Sequence, residues 1–312
     1  MDEAGLRGVA ALEVVGREAG PESQQVAART AARLEELEAE VGDRIAVGIA
    51  PHAPYSVGPE LWAALSAHPG IGPRVMTSHV AESTAEAELL ADGTGPMAEL
   101  FSTVGIQPGR WDTDAQSTPV ARLRAHGALD ALNVAAHCVQ LGPGDEAMLA
   151  KSGVAVAHCP RSNRFLECGV APVRALGSAG VTVALGSDSP ASGGLYDIRA
   201  ETRAAADVAA STDNSASVWS ELHEMATRAG ASALGLPDTG QLVAGAAADL
   251  VAIRPPDGAS CDADPARAIL GAAGKVIRVA VAGETLLDES GPAQLDASSV
   301  VAAANRARAA LC

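Results

Sequence analysis

Apolar residues along this chain come in two kinds of run. Short continuous stretches recur at intervals: "VAALEVVG" (9–16), "RIAVGIA" (44–50), "RVMTSHV" (74–80), "LNVAAHC" (132–138), "VAVAHCP" (154–160) and "VTVALGSDSP" (181–190). None of them alternates apolar with polar, so each predicts a strand covered on both faces, as in a parallel sheet. Between them lie segments with apolar positions at helical spacing. "PESQQVAARTAARLEELEAEV" (21–41), rich in Ala, Glu and Arg, predicts a helix. Strands alternating with helices predict a parallel α/β fold.

The pattern changes after about residue 215. "SVWSELHEMATRAGASALGL" (217–236) predicts a helix pair, and "DTGQLVAGAAADLVAIRPP" (238–256) a turn and a strand. "VIRVAVAGETLLDE" (276–289) predicts a hairpin pivoting on Ala282-Gly283, and the tail from Asp296 a closing helix. The expected division is a barrel-like unit over 1–236 and a β-rich appendage with its closing helix over 237–312. The loop around 102–120 is polar and rich in Gly and Pro, which makes it a candidate lid.

The strand ends carry the candidate chemistry. Four of the runs end on or beside a titratable residue, namely His79, His137, His158 and Asp188, and His52 directly follows the run 44–50. In a β/α barrel, reactive groups gather at the C-terminal ends of the strands. Any one of these histidines alone reads as a satisfied core residue, and His158 is the best structural candidate. Five in register across successive strands read as a site. "MTSHVAES" (76–83) sharpens the question, because its His79 and Glu82 suit either a metal ligand beside an acid or an ordinary polar strand end.

Composition narrows the partners. Of the 312 residues, 48% are hydrophobic and only 2% aromatic, so the core must be built from small aliphatic side chains. With 38 acidic against 22 basic residues the net charge is −16, which opposes nucleic acid or an anionic membrane as a bulk partner. The five cysteines (138, 159, 168, 261 and 312) are odd in number and lack CxxC spacing. That usage argues for small buried hydrophobes in a reducing, cytoplasmic setting, not for a disulfide scaffold or a zinc knot. The N-terminal "MDEAGLRG" lacks the regions of a signal peptide, and no apolar run reaches the roughly 18 residues of a membrane helix. A small-molecule amine is the expected partner, with a homodimer left open.

"PHAPYSV", "SHVAES", "NVAAHCVQL", "HCPRSN" and "LGSDSPAS" together resemble, in this order, the amidohydrolase superfamily. They are closest to its branch of mononuclear-metal aminohydrolases, and "GQLVAGAAADLVAI" resembles that branch's C-terminal β-sandwich signature. The resemblance implies a (β/α)8 TIM-type barrel and one divalent metal, Zn or Fe. His79 matches the metal-ligand histidine of the fifth barrel strand. Asp188 matches the eighth-strand aspartate, which ligates the metal and accepts a proton from water. Glu82 matches the acid that carries the proton onward to the ring nitrogen and the leaving ammonia. His137 matches the sixth-strand histidine that contacts the attacking water or the substrate, and His52 a substrate-contacting histidine.

The chemistry supports such a set on its own terms. Water attacks an aromatic carbon slowly, a divalent metal makes it nucleophilic near neutral pH, and a carboxyl group must protonate the departing nitrogen. The "CPRSN" segment resembles that of aminodeoxyfutalosine deaminases, enzymes of menaquinone biosynthesis. Arg161 is therefore expected to bind a substrate carboxylate in a bidentate pair. Guanine, methylthioadenosine/S-adenosylhomocysteine and triazine aminohydrolases share the catalytic set and remain alternatives.

One departure from the family pattern stands out. The family's first strand carries a His-x-His pair that completes the metal site. The seven histidines here (52, 68, 79, 126, 137, 158 and 223) include no such pair. If Asp188 follows strand eight, the six strand runs are strands three to eight. A chain lacking its first two strands, or a degenerate paralogue serving as an assembly partner, is the expectation that follows.

Overall fold

The computed structural model describes residues 2–105, 117–212, 218–257, 264–293 and 296. The expected lid falls largely, and the expected closing helix almost entirely, outside the described residues, as do Cys261 and Cys312.

Six parallel strands follow one another in space as they do in sequence. β1 (Gly8–Val14) pairs with β2 (Ile45–Pro51), from Gly8↔Ile45 to Val14↔Pro51. β3 (Thr77–Val80), β4 (Val134–His137), β5 (Ala155–His158) and β6 (Val183–Leu185) form a second parallel set in the order 3-4-5-6. A bridge between Ile49 and Met76 joins the two sets, and the His79 N–H donates to the His52 carbonyl at 3.0 Å. Neighbouring parallel strands linked through helical crossovers are the repeating unit of a TIM-barrel-like fold.

The runs read from the sequence recur as these strands with shorter ladders. Arg74 and Val75 precede β3, where the Val75 carbonyl accepts from Ile49 N–H at 2.9 Å. The Met76 N–H donates to the Asn133 side chain at 2.7 Å. The join between β2 and β3 therefore rests on the Ile49–Met76 bridge with the Ile49–Val75 and His79–His52 backbone bonds on either side, while the Asn133 side chain ties the start of β3 to that of β4. Gly48 sits at this join for a steric reason: a Cβ there would lie 2.7 Å from the Val75 carbonyl oxygen and 2.8 Å from a Val9 methyl.

Helices cover the outer face of the strands. Pro21–Glu40 starts with proline in its first turn and buries Ala27, Ala31 and Leu34, one stripe of a 3.6-residue period. Pro59–Ala67 adds Leu61, Trp62 and Leu65, all essentially inaccessible. The main core is otherwise largely Ala, Val, Leu and Ile from strands and helices, with Met76, Met225 and Cys138 among them, as an almost aromatic-free composition requires.

The C-terminal segment is antiparallel. β7 (Leu250–Arg254), β8 (Lys275–Val281), β9 (Glu284–Asp288) and β10 (Gly291–Pro292) lie in the order 10-9-8-7. The hairpin turns at Ala282-Gly283, with φ of 51° and 79°, the left-handed pair that a two-residue turn needs. Polar contacts tie this sheet to the parallel part. Arg7 meets Asp249 at 2.7 Å, Arg44 meets Glu284 at 2.6 Å, and Arg199 donates to the Gly274 carbonyl at 2.6 Å.

Candidate active site

Parallel strands that start together end together, and here they end on the histidines. In register, His79 lies opposite Ala136, and Val80 opposite His137. A regular continuation would send the His137 side chain to the face of Val80, away from His79. The backbone prevents this. His137 and Cys138 have φ of 72° and 47°, Ala81 after β3 has 52°, and Asp188 beyond β6 has 52°. Left-handed conformations cost such residues on the order of 1–3 kcal/mol each and persist only where the surroundings enforce them. Backbone bonds do so here. Cys138 N–H donates to the Val80 carbonyl at 3.0 Å, and both Val139 and Gln140 N–H donate to the Ala81 carbonyl at 2.8 Å.

The result is a cluster that strand periodicity alone would not give. One donor atom each from His79, His137 and Asp188 all lie within 4.8 Å of one another. The His79 and His137 rings stack with centroids 5.4 Å apart, and the His52 ring lies 5.0 Å from that of His79. Glu82 Oε1 is 3.7 Å from His137 Nε2. Four of the residues read from the sequence, with His52 beside them, thus converge.

Each member is held from behind. His79 Nδ1 donates to the His52 carbonyl at 2.9 Å, which in the neutral ring puts the lone pair on Nε2. His137 Nδ1 lies 2.8 Å from Asn163 Oδ1 and donates to it. Asp188 Oδ2 accepts the hydroxyls of Ser162 at 2.6 Å and Ser192 at 2.5 Å. Burial alone would raise the Asp188 carboxyl, but these two bonds and one from the Ser189 backbone outweigh it and hold it below the usual range. His52 Nδ1 lies 2.6 Å from Ser56 Oγ, and burial, with His79 nearby, lowers its basicity.

Behind Glu82 stands a second carboxyl group. Glu86 is fully buried and accepts the Glu82 backbone N–H at 2.7 Å, while Glu86 N–H donates to Ser83 Oγ at 3.2 Å. Burial pushes Glu86 up to about 8, so it is protonated at neutral pH and adds no charge beside Glu82. The Cys168 thiol approaches Glu82 Oε1 at 4.0 Å.

The donor set suits a divalent metal. Two imidazoles and a carboxylate are ligands of Zn²⁺ and Fe²⁺, and both histidines are oriented by bonds at Nδ1, as metal-ligating histidines are. His137 Nε2 is completely buried and has no hydrogen-bond partner. Such an orphaned lone pair is costly unless something electropositive faces it.

Arg161 and His158 stand apart from this cluster. The Arg161 guanidinium pairs with the fully buried Glu201 at 3.3 Å and donates to the Leu195 carbonyl at 3.1 Å. The cation expected to meet a substrate carboxylate is thus already matched by a protein carboxylate. His158 is buried, and with Val170, Ala175, Ala205, Leu222 and Met225 it lines a cavity of about 310 Å³. Burial, with His137 nearby, lowers its pKa to about 4. Sequence reading passed over Ser162, Asn163, Ser192 and Glu86. The signal for Glu86 was present as Ser83-x-x-Glu86, a helix-start pattern.

The fold and this cluster define a TIM-barrel-like protein with a metal-competent site. The sequence profile of the Amidohydrolase family matches residues 1–286, and the chain belongs to that family. A 5-methylthioadenosine/S-adenosylhomocysteine deaminase of Pelotomaculum thermopropionicum is 34% identical over 258 residues, 81% of this chain and 54% of that protein. An aminodeoxyfutalosine deaminase of Deinococcus radiodurans is 37% identical over 165 residues, 50% of this chain and 38% of that one. Among solved structures, an adenosine deaminase from Xanthomonas campestris with bound zinc superposes with a TM-score of 0.76 at 28% identity, covering 98% of this chain and 66% of its own. The chain spans about half the length of the curated relatives it matches. Among the described residues no helix is long and apolar enough to cross a membrane.

Proposed function

We propose that the protein hydrolyses the ring amino group of an aminopurine-type nucleoside, forming the corresponding oxo-nucleoside and ammonia. The observation that carries this reading is the convergence of donor atoms from His79, His137 and Asp188 within 4.8 Å, with Glu82 beside them. His79 and Asp188 are assigned as ligands of a Zn²⁺ or Fe²⁺ ion. When bound, such an ion makes water nucleophilic near neutral pH. Asp188 takes one proton from the attacking water. Glu82 takes the other and delivers it to the ring nitrogen, the proton held by Asp188 passes through Glu82 to the departing amine, and so the new C–O bond replaces the C–N bond and ammonia leaves. His137 directs Nε2 at the attacking water, and His52 contacts the substrate.

Two substrate classes compete. The "HCPRSN" segment favours 6-amino-6-deoxyfutalosine, giving futalosine and ammonia in menaquinone biosynthesis. The longer match to the Pelotomaculum protein, and the engagement of Arg161 by Glu201, favour methylthioadenosine or S-adenosylhomocysteine. Ammonia release from each nucleoside by the zinc-loaded protein discriminates them. Turnover of 6-amino-6-deoxyfutalosine alone supports the first assignment, and no ammonia from any nucleoside overturns the reading.

The finer architecture belongs to the same proposal: β1 to β6 as barrel strands three to eight over 1–236, and 237–312 as part of a β-sandwich with a closing helix. On that reading a His-x-His pair on strands preceding β1 completes the ligand set, and the reading frame upstream of Met1 tests it. The absence of that pair from these 312 residues also supports a second reading, an inactive assembly partner. Zinc near one per chain in the purified protein argues against it.

A further inference from the structure

We propose that the segment Cys159–Asn163 is a positioning block. It sets the tautomer of His137 and the orientation of Asp188, and it is anchored by Arg161 on Glu201. Three consecutive residues reach three different elements. Arg161 bonds Glu201 on the helix Ile198–Thr212 through both its backbone N–H (3.2 Å, to Oε2) and its guanidinium (3.3 Å, to Oε1). Ser162 bonds Asp188, beyond β6, and Asn163 bonds His137 at the end of β4. Ser162, Asn163 and Glu201 are each at most 2% exposed, and the contacts given for them are to other protein groups.

The chemistry makes the Asn163 contact directional. Its carbonyl oxygen can only accept, so the bond requires a proton on His137 Nδ1 and, in the neutral ring, puts the lone pair on Nε2, 3.7 Å from Glu82 Oε1. The reversed amide would donate to Nδ1 and place the proton on Nε2, the wrong atom to face a cation or an attacking water. Ser162 acts on Asp188 in the same way: its hydroxyl occupies Oδ2 and holds the carboxylate plane. Because Arg161 is used as the anchor, the segment serves the site from behind and not as a substrate clamp.

The proposal rests on the deaminase reading only in treating the cluster as a metal centre. Its first test is independent of activity: nitrogen NMR of histidine-labelled, metal-free full chain. His137 is expected as a single Nδ1–H tautomer, and an Nε2–H tautomer overturns the proposal. Asn163→Ala should give a mixture of tautomers, while Asn163→Asp, which keeps the accepting oxygen, should restore the single form. If Asn163→Ala does not fold, the wild-type spectrum and Asn163→Asp still decide.

Zinc affinity by competition is the second readout. Outer-sphere partners typically change metal affinity by about 10- to 100-fold, so Ser162→Ala should weaken zinc binding within that range and leave the His137 tautomer unchanged. Arg161→Ala should also weaken zinc binding with no substrate present. If Arg161→Ala leaves zinc affinity unchanged and raises only KM, the anchor is refuted. Failure of the wild-type chain to bind zinc would sink the metal-site reading, with the tautomer measurement still judging the Asn163 contact.

Discussion

The parallel and antiparallel sheets use the same unusual backbone conformation for opposite ends. In the hairpin between β8 and β9, left-handed Ala282 and Gly283 only reverse the chain, and Gly283 N–H donates to the Ala248 carbonyl at 3.0 Å. At the ends of β3, β4 and β6, left-handed Ala81, His137 and Asp188 aim side chains. The polar contacts differ in the same sense. The Arg254–Glu289 pair on the antiparallel sheet has side chains 55% and 57% exposed, whereas His137, Asn163, Ser162 and Glu201 are buried and bonded to particular partners. Exposed polar groups can exchange their partners for water. Buried ones cannot, so the second kind constrains geometry and the first does not.

The comparison can be broken by substitution, and the largest effect is expected at the site. On the deaminase reading, Glu82→Gln should lower kcat by about 10²- to 10⁴-fold, the usual range for a lost general acid–base, with zinc retained. Steady-state kinetics together with metal analysis check it, and unchanged kcat would remove Glu82 from the mechanism. His79→Ala should abolish tight zinc binding while leaving the circular dichroism spectrum in place.

A pH effect comes next. His158 has a folded pKa of about 4 against about 6.5 unfolded, so between these values the unfolded chain binds more protons. Stability from burying the neutral ring is therefore full above about 6.5 and lost as pH falls toward 4, by on the order of 3 kcal/mol. His158→Gln should flatten that limb in denaturant titrations at successive pH values. An unaltered slope would contradict burial of the neutral ring.

The hairpin should respond weakly and in the opposite direction. Ala282→Gly relieves a left-handed alanine and should stabilise by up to about 1 kcal/mol, whereas glycine at Asp188, with the same φ sign, removes a proposed ligand. Arg254→Ala should leave the melting temperature within experimental scatter, because its ion pair is solvated. A large loss there would erase the distinction between the two sheets.

Legibility divided along the same line. That His79, Glu82, His137 and Asp188 stand at or just beyond strand ends was readable because each lies at the close of a continuous apolar run, whereas the roles proposed for them came from the resemblance of the motifs. The hairpin at Ala282-Gly283 was readable from its flanking strands. Asn163, Ser162 and Ser192 were not readable as partners. Asn163 meets a histidine 26 positions earlier and Ser162 an aspartate 26 positions later, and no local period relates such residues. The Arg161 pairing was equally out of reach, because its partner Glu201 lies 40 residues on and is brought to it only by helix packing.

What the sequence determined by itself was therefore local and periodic: parallel strands from unbroken apolar runs, helices from the 3.6-residue stripe, and polar residues held at the strand ends. What the tertiary structure decided was direction. Whether His137 turns toward His79, which imidazole nitrogen carries the proton, and whom Arg161 faces depend on left-handed backbone and on hydrogen bonds between distant segments. Those bonds are enforced only once burial has removed water as a competing partner.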